Sequence, residues 1–313
     1  MTDKKSLFIS IVVPVYNEAE NILPLLKNLI PIVKSDEYEI IFVDDGSTDS
    51  STDLIKNQAA KNKCIKLLSF QRNFGHQIAL TAGYHASRGD LVISLDADMQ
   101  DPPELIPQMI KKWKAGAKIV YARRSGREES FFKRITANVF YSLINSLSST
   151  PIPHEVGDFR LLDREIVNVL NNMPEQARFL RGLVAWGGFK AAYVDFERKP
   201  RNAGETHYPF SKMVSFALDG ITSFSTKPLR FATYLGFLTS VFGVIGIIYA
   251  LYRRLFLSPE YWVPGWTATF VAIMFFGGVQ LITIGIIGEY IGNLYKQAQD
   301  RPLYIVKEKV NMK

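Results

Sequence analysis

The 313-residue sequence predicts an α/β domain with a mostly parallel sheet flanked by helices, then a helix in the membrane interface and a two-helix transmembrane hairpin. Three observations carry this. Short apolar runs alternate with segments of helical spacing through the first half, as in βαβ units. Beyond Pro228 the apolar residues gather into two runs of about 23 residues, each long enough to cross hydrocarbon. Just before them lies a segment apolar on one helical face.

Strands are expected at Phe8–Val13, Glu39–Val43, Ile65–Phe70, Leu91–Leu95 and Lys118–Tyr121, with helices at Asn21–Val33, Ser51–Lys61, His76–Ser87 and Pro103–Ala115. The start, Met1 to Lys5 and then Leu7 to Val13, mimics a signal peptide. Pro14 cuts the apolar run short and no small-residue cleavage pattern follows, so a first strand is expected. Ser130 to Leu147 repeats Phe131, Ile135, Val139, Leu143 and Leu147 in steps of four, a further helix, and Phe189 to Glu197 alternates as a strand. Phe210, Met213, Val214, Ala217, Ile221 and Phe224 share one helical face, opposite Ser211, Lys212, Ser215 and Thr222. With a spanning segment directly after it, this stretch reads as an interfacial helix.

The spans are Leu229–Leu251 and Trp266–Gly288, joined by Tyr252–Gly265. A soluble helix rarely stays apolar on all sides for so long. Tyr261, Trp262, Trp266 and Tyr290 suit interfacial belts, and Lys227, Arg230, Lys296, Arg301, Lys307, Lys309 and Lys313 flank the hairpin on one side. That side is expected to be cytoplasmic, against which Arg253 and Arg254 in the connector count. Gly285 and the Gly288/Gly292 pair hint at close helix contact and self-association through the spans. The expected division is a catalytic domain over 1–209, an interfacial segment over 210–228, a hairpin over 229–290 and a cytoplasmic tail over 291–313.

A net charge of +7 points to an acidic partner or to simple solubilisation. Next to membrane spans, anionic lipid or phosphate fits better than nucleic acid, for which there is no basic recognition helix. The single cysteine, Cys64, excludes an intramolecular disulfide and suits a reducing compartment.

Sheets of this kind bind ligands beyond the carboxyl ends of their strands. Three polar groups fall there: Pro14-Val15-Tyr16-Asn17-Glu18, Asp44-Asp45-Gly46-Ser47 and Asp96-Ala97-Asp98-Met99-Gln100. There is no GxGxxG after the first strand and no GxxxxGK[ST] anywhere, which argues against dinucleotide and P-loop sites. Asp96 and Asp98, one residue apart past a strand end, can reach one hard divalent ion, whose open positions would take phosphate oxygens. The ion would stabilise the charge of a departing diphosphate. A plain turn with an Asp cap is the structural alternative, a job that Asp101 before Pro102-Pro103 already fits. Tyr16 could lie against a nucleobase, Glu18 could bond to base or ribose, and Asp45 could accept from either. Helix capping by Asn17 and Glu20, and a tight turn at Gly46, are the structural alternatives there.

Together with Arg72-Asn73-Phe74-Gly75, Gly157-Asp158-Phe159-Arg160 and Arg201-Asn202-Ala203-Gly204-Glu205-Thr206, these motifs resemble those of the family 2 glycosyltransferases of GT-A fold. With the hairpin they resemble its polyprenyl-phosphate branch, which includes dolichol-phosphate mannose synthase and bacterial undecaprenyl-phosphate glucosyltransferases. The resemblance implies a nucleotide-sugar donor, held by Pro14, Tyr16, Glu18, Asp45 and Arg201. It implies Mg²⁺ or Mn²⁺ at Asp96, Asp98 and Gln100, a catalytic base at Asp158, and a polyprenyl phosphate received by Arg124, Arg127 and Arg134. His207 stands where the family more often has lysine. The product expected is one sugar on lipid, with inversion, and glucose from UDP-glucose as the sugar. A phosphate acceptor is largely dianionic at neutral pH, so Asp158 is expected to orient the donor or hold a basic side chain rather than take a proton. A processive polysaccharide synthase is the first rival, but Gln176-Ala177-Arg178-Phe179-Leu180 lacks QxxRW and two spans enclose no tunnel. A non-catalytic membrane scaffold is the second.

Overall fold

The computed structural model describes residues 7–125, 156–197, 225–256 and 265–312. These fall into two compact units, one holding the sheet together with residues 300–313, the other holding the two long apolar helices.

The sheet begins with β1 (Phe8–Val15), α1 (Ala19–Val33), β2 (Glu37–Asp44), α2 (Ser51–Lys61), β3 (Ile65–Phe70), α3 (His76–Ala86) and β4 (Leu91–Ser94). A short 3₁₀ turn (Pro103–Leu105), α4 (Ile106–Lys114) and β5 (Ile119–Ser125) follow. Then come β6 (Val156–Asp163), α5 (Arg164–Asn171), α6 (Leu180–Trp186) and β7 (Ala191–Glu197), and, much later in the chain, β8 (Val306–Val310). The eight strands are ordered β7-β5-β6-β4-β1-β2-β3-β8. β4, β1, β2 and β3 run parallel, as do β5 and β7, while β6 is antiparallel to both β4 and β5, and β8 is antiparallel to β3.

Each central strand is apolar almost throughout because both of its faces are covered. Ile9, Ile11 and Val13 point into one core with Ile40, Phe42 and Leu67, closed by Ile22, Leu25 and Leu29 of α1, Ile55 and Ala59 of α2 and Met109 of α4. The other face takes α3, which lies so near that a Cβ on Gly83 would fall 2.2 Å from Val12 Cγ1.

Four elements were not expected from the sequence: β6, α5, α6 and β8. Residues 291–313 are not a separate tail. The second apolar helix continues to Ala298, and Val306–Val310 closes the sheet edge on β3. Asp101 is not the cap of the helix after it. The 3₁₀ turn has no side-chain cap, and Asp101 turns inward, where its Oδ2 accepts from the Asp96 amide at 3.2 Å. The expected helix over 130–147 and the amphipathic segment over 210–224 lie outside the described residues.

In the second unit, α7 (Lys227–Phe256) and α8 (Trp266–Ala298) are both longer than the expected spans. Within Lys227–Arg253 and Thr269–Ala298, 18-residue stretches reach mean hydropathies of 2.0 and 2.3 and are almost entirely unburied. Two such helices fit a membrane hairpin. A Cβ added at Gly285, Gly288 or Gly292 would meet no other part of the described residues within 4 Å.

Candidate active site

The antiparallel pairing of β4 with β6 matches Ser94 to Arg160. Continuing that register sets Asp96 beside Asp158. His76, the first residue of α3, spans the two: its Nε2 lies 3.3 Å from Asp158 Oδ2 and 3.6 Å from Asp96 Oδ1. Strand alternation places Asp158 and Arg160 on one face of β6, and the Arg160 Nη2 donates to Asp158 Oδ1. Arg181, in the first turn of α6, donates from Nη2 to Asp158 Oδ2 at 3.2 Å, and Gln77 Nε2 donates to the same oxygen at 3.2 Å. Ser94 Oγ donates to the Asp158 carbonyl at 2.5 Å and also meets the Tyr84 hydroxyl at 3.0 Å.

Asp158 is 5% exposed and Arg160 is fully buried. Burial pushes the Asp158 carboxyl up, but the charges of Arg181 and Arg160 and the His76 hydrogen bond outweigh it and hold the group well below the usual carboxylate range. His76 is the converse. Burial disfavours its charge, yet the Asp158 hydrogen bond and the Asp96 and Asp158 charges raise it to about 9. At neutral pH the pair is therefore carboxylate and imidazolium.

The second acidic group is short of positive charge. Among the described residues Asp96 Oδ1 is buried without a hydrogen-bond partner, facing the His76 Nε2 at 3.6 Å. Burial raises the Asp96 carboxyl; the His76 charge pulls it back down, as Arg124 does less strongly, while Asp158 and Asp98 raise it further, and the net shift is upward. Burial pushes Asp101 up to about 7, with Asp96 adding to the effect. The cations there are His76, with Nε2 3.6 Å from Asp96 Oδ1, and Arg124, with Nη2 3.9 Å from Asp101 Oδ1. Gly157 leaves room for it, since a Cβ would come within 3.2 Å of that Nη2. Met99, between Asp98 and Gln100, has φ 62°, and the Gln100 amide donates to Asp98 Oδ1 at 3.1 Å. Among the described residues no three His, Cys, Asp or Glu side chains form a complete metal cage. The residues nonetheless suit a divalent ion of the kind held by one or two carboxylates and shared with substrate phosphates. The unpartnered Asp96 oxygen and the crowded negative charge are what such an ion would satisfy.

The first two strand ends are adjacent. Asp45 is 3% exposed and accepts from the amides of Phe74 at 2.6 Å and Gly75 at 2.9 Å, so it pins the loop that starts α3. Gly46, at φ +75°, passes so close to that loop that a Cβ would lie 2.6 Å from the Arg72 carbonyl carbon. Asn17, at φ 56°, ties the first strand end to the second by accepting from the Thr48 amide at 2.8 Å. It does not cap α1, which has no side-chain cap. Glu18 accepts from Asn21 Nδ2 at 2.5 Å. Pro14 is buried in β1, while Tyr16 is 47% exposed beside this joined surface.

The structure thus brings together Asp96, Asp98, Asp101, Asp158 and Arg124, and separately Tyr16, Glu18 and Asp45. Arg127, Arg134, Arg201 and His207 lie outside the described residues. Arg123 turns from the acids to form a two-pronged pair with Asp195 of β7, at 2.6 and 3.1 Å. The sequence reading passed over His76, Gln77 and Arg181. His76 and Gln77 directly follow Arg72-Asn73-Phe74-Gly75, where a helix start near a strand end was the available signal. Arg181 gave none, because its partner is 23 residues away.

Comparison with known proteins finds relatives over nearly the whole chain. The profile of "Glycosyl transferase family 2" matches residues 10–170, and that of "GtrB C-terminal hairpin" matches residues 227–294. The chain is 45% identical over 302 residues to "Uncharacterized glycosyltransferase YkcC" of Bacillus subtilis, covering 96% of this chain and 93% of that one. It is 43% identical over 304 residues to "Bactoprenol glucosyl transferase" of Shigella phage SfII, covering 96% and 97%. Among solved structures, glucosyl-3-phosphoglycerate synthase from Mycobacterium tuberculosis, in complex with Mn²⁺, UDP-glucose and phosphoglyceric acid, aligns with a TM-score of 0.47 at 20% identity. That alignment covers 69% of this chain and 78% of that one.

Proposed function

The chain belongs to glycosyl transferase family 2, and from that membership we propose that it transfers one glucosyl unit from UDP-glucose to a polyprenyl phosphate, inverting the anomeric carbon. The observation that carries the reading is His76, within 3.3 Å of Asp158 and 3.6 Å of Asp96, which joins two acidic strand ends into one polar centre. The near-full-length likeness to bactoprenol glucosyl transferases and the hairpin match support the lipid acceptor.

In this reading Tyr16 lies on the nucleobase, with Pro14, Glu18 and Asp45 shaping the nucleoside side and Arg201 clamping phosphate. Asp96 and Asp98, with Gln100 alongside, would hold a divalent ion, Mg²⁺ or Mn²⁺, which when bound would neutralise charge on the diphosphate leaving group. Arg124, with Arg127 and Arg134, receives the acceptor phosphate; guanidinium groups suit phosphate because they bind it through paired donors. An acceptor oxygen bonds to carbon one as the bond from that carbon to the diphosphate breaks. An α-linked donor then gives a β-linked lipid product.

No proton has to move. The acceptor is mostly dianionic above its second pKa of about 6. Asp158, with Arg160, Arg181, His76 and Gln77 on its two oxygens, is a poor proton acceptor. Its work is to hold Arg181 and His76 at the donor. In this reading the sheet unit and both chain ends are cytoplasmic, which the basic residues flanking the hairpin support.

Purified full-length protein given undecaprenyl phosphate, Mg²⁺ or Mn²⁺ and a panel of nucleotide sugars should form a lipid heavier by one hexose with UDP-glucose. A polymer, or transfer from another donor alone, would overturn the assignment. Chelation should abolish turnover, and Asp98→Ala should lower it at least about a hundredfold.

A further inference from the structure

Away from the strand ends, on the face of the sheet that carries α3, the edge strands β3 and β8 leave a cleft of about 260 Å³. Leu67 points into the core with α2, so Lys66 and Leu68 point the other way, into the cleft. The end of α3 supplies His85 and Arg88, and the C-terminal segment supplies Tyr304, Val306, Lys309 and Met312.

The charges of this cleft are one-sided. Among the described residues no carboxylate lines it. Lys66 is neutralised from beneath by Glu39, which is 1% exposed. Glu39 also accepts from the Arg88 backbone amide at 2.8 Å, and Ser10 Oγ from the Gly89 amide at 2.7 Å, so the turn carrying Arg88 is held from behind. Glu308, the acid of β8, faces the opposite side and pairs with Lys56 of α2 at 2.5 Å. That leaves the Arg88 and Lys309 side chains without an acidic partner among the described residues. Tyr304 forms a firm wall, stacked on Phe70 with ring centroids 4.9 Å apart.

We propose that this cleft is a second anion site, distinct from the transfer centre, which binds a phosphate group between Arg88 and Lys309 with Tyr304 and Leu68 against the attached organic part. A bound phosphate would face two cations and a hydrogen-bonding imidazole, His85, without meeting a carboxylate. The chemistry is that of a phosphodiester headgroup or of a small phosphate ester. The site does not depend on which sugar or acceptor the enzyme uses.

The test uses the full chain in a non-ionic detergent, titrated by calorimetry with dihexanoyl phosphatidylglycerol and, separately, with glycerol 3-phosphate. Wild type should bind one or both saturably. Tighter binding of the lipid identifies a headgroup as the source, and tighter binding of the ester identifies a soluble metabolite. Arg88→Ala with Lys309→Ala should weaken that binding about tenfold or more, while Arg88→Lys with Lys309→Arg should retain it. Glucosyl transfer by both double variants should stay near wild type, which shows that they fold. Equal binding by wild type and the alanine variant, or no saturable binding by wild type, would overturn the proposal.

Discussion

Asp158 serves two functions, and they are separable by experiment. It neutralises Arg160, which is fully buried with Nε and Nη1 unpartnered among the described residues, and it orders Arg181 and His76. Removing one partner of a buried ion pair leaves an uncompensated charge. Asp158→Asn should therefore lower unfolding free energy by about 3 kcal/mol, read by chemical denaturation of the detergent-solubilised protein. It should also slow transfer about a hundredfold, the scale of a misplaced substrate. The pH profile separates positioning from proton removal. With its pKa held well below 3.8, Asp158 is ionised on both sides of neutrality and contributes no acid limb there. The wild-type rate should instead rise through about pH 6 as the acceptor becomes dianionic. The Asp158→Asn defect should be the same at pH 7 and pH 8, below the titration of wild-type His76 at about 9. Recovery at pH 8 would assign Asp158 the base role after all.

At the scale of elements, the loop contacts of Gly46 and the edge strand β8 make the clearest predictions. Gly46→Ala combines φ +75° with a backbone atom 2.6 Å from the new methyl. It should cost about 1–3 kcal/mol and raise the KM for the donor, because Asp45 and the Phe74-Gly75 amides shift with it. Truncation before Tyr304 should bare β3 as a flat edge and produce aggregation, seen as scattering in detergent. These elements also show what the sequence could reveal. The parallel strands were legible because burial on both faces makes each an unbroken apolar run, and Asp96 and Asp98 because they sit at the end of one. β6 was read as a binding motif rather than a strand, since Gly157, Asp158 and Arg160 interrupt the apolar pattern. Val306-Lys307-Glu308-Lys309-Val310 looked like a charged tail, since an edge strand with one face open needs few apolar residues. Arg181 and His76 were missed because their importance comes from one buried carboxylate far away in the chain, and spacing does not encode such pairing.

For the whole molecule, the two units divide the work between chemistry and location. Helices of 30 and 33 residues are about 45–50 Å long, more than the roughly 30 Å of hydrocarbon, so each should extend past the apolar layer. The chain should resist extraction by alkaline carbonate. In a Cys64→Ser background, a cysteine replacing Ser258 in the connector should react with an impermeant maleimide in intact cells, and one replacing Lys313 should react only after lysis. The reverse pattern would invert the topology.

The position of β8 also sets the timing of assembly. Asn311 reaches back to the Ile65 carbonyl at 2.8 Å across 246 residues of chain, and both long helices lie within that interval. Because β8 is synthesised after both long helices, the outer edge of β3 stays open until nearly the whole chain has been made. Until then β3 presents unpaired backbone groups, so an incomplete chain carries an exposed sheet edge that a finished chain does not.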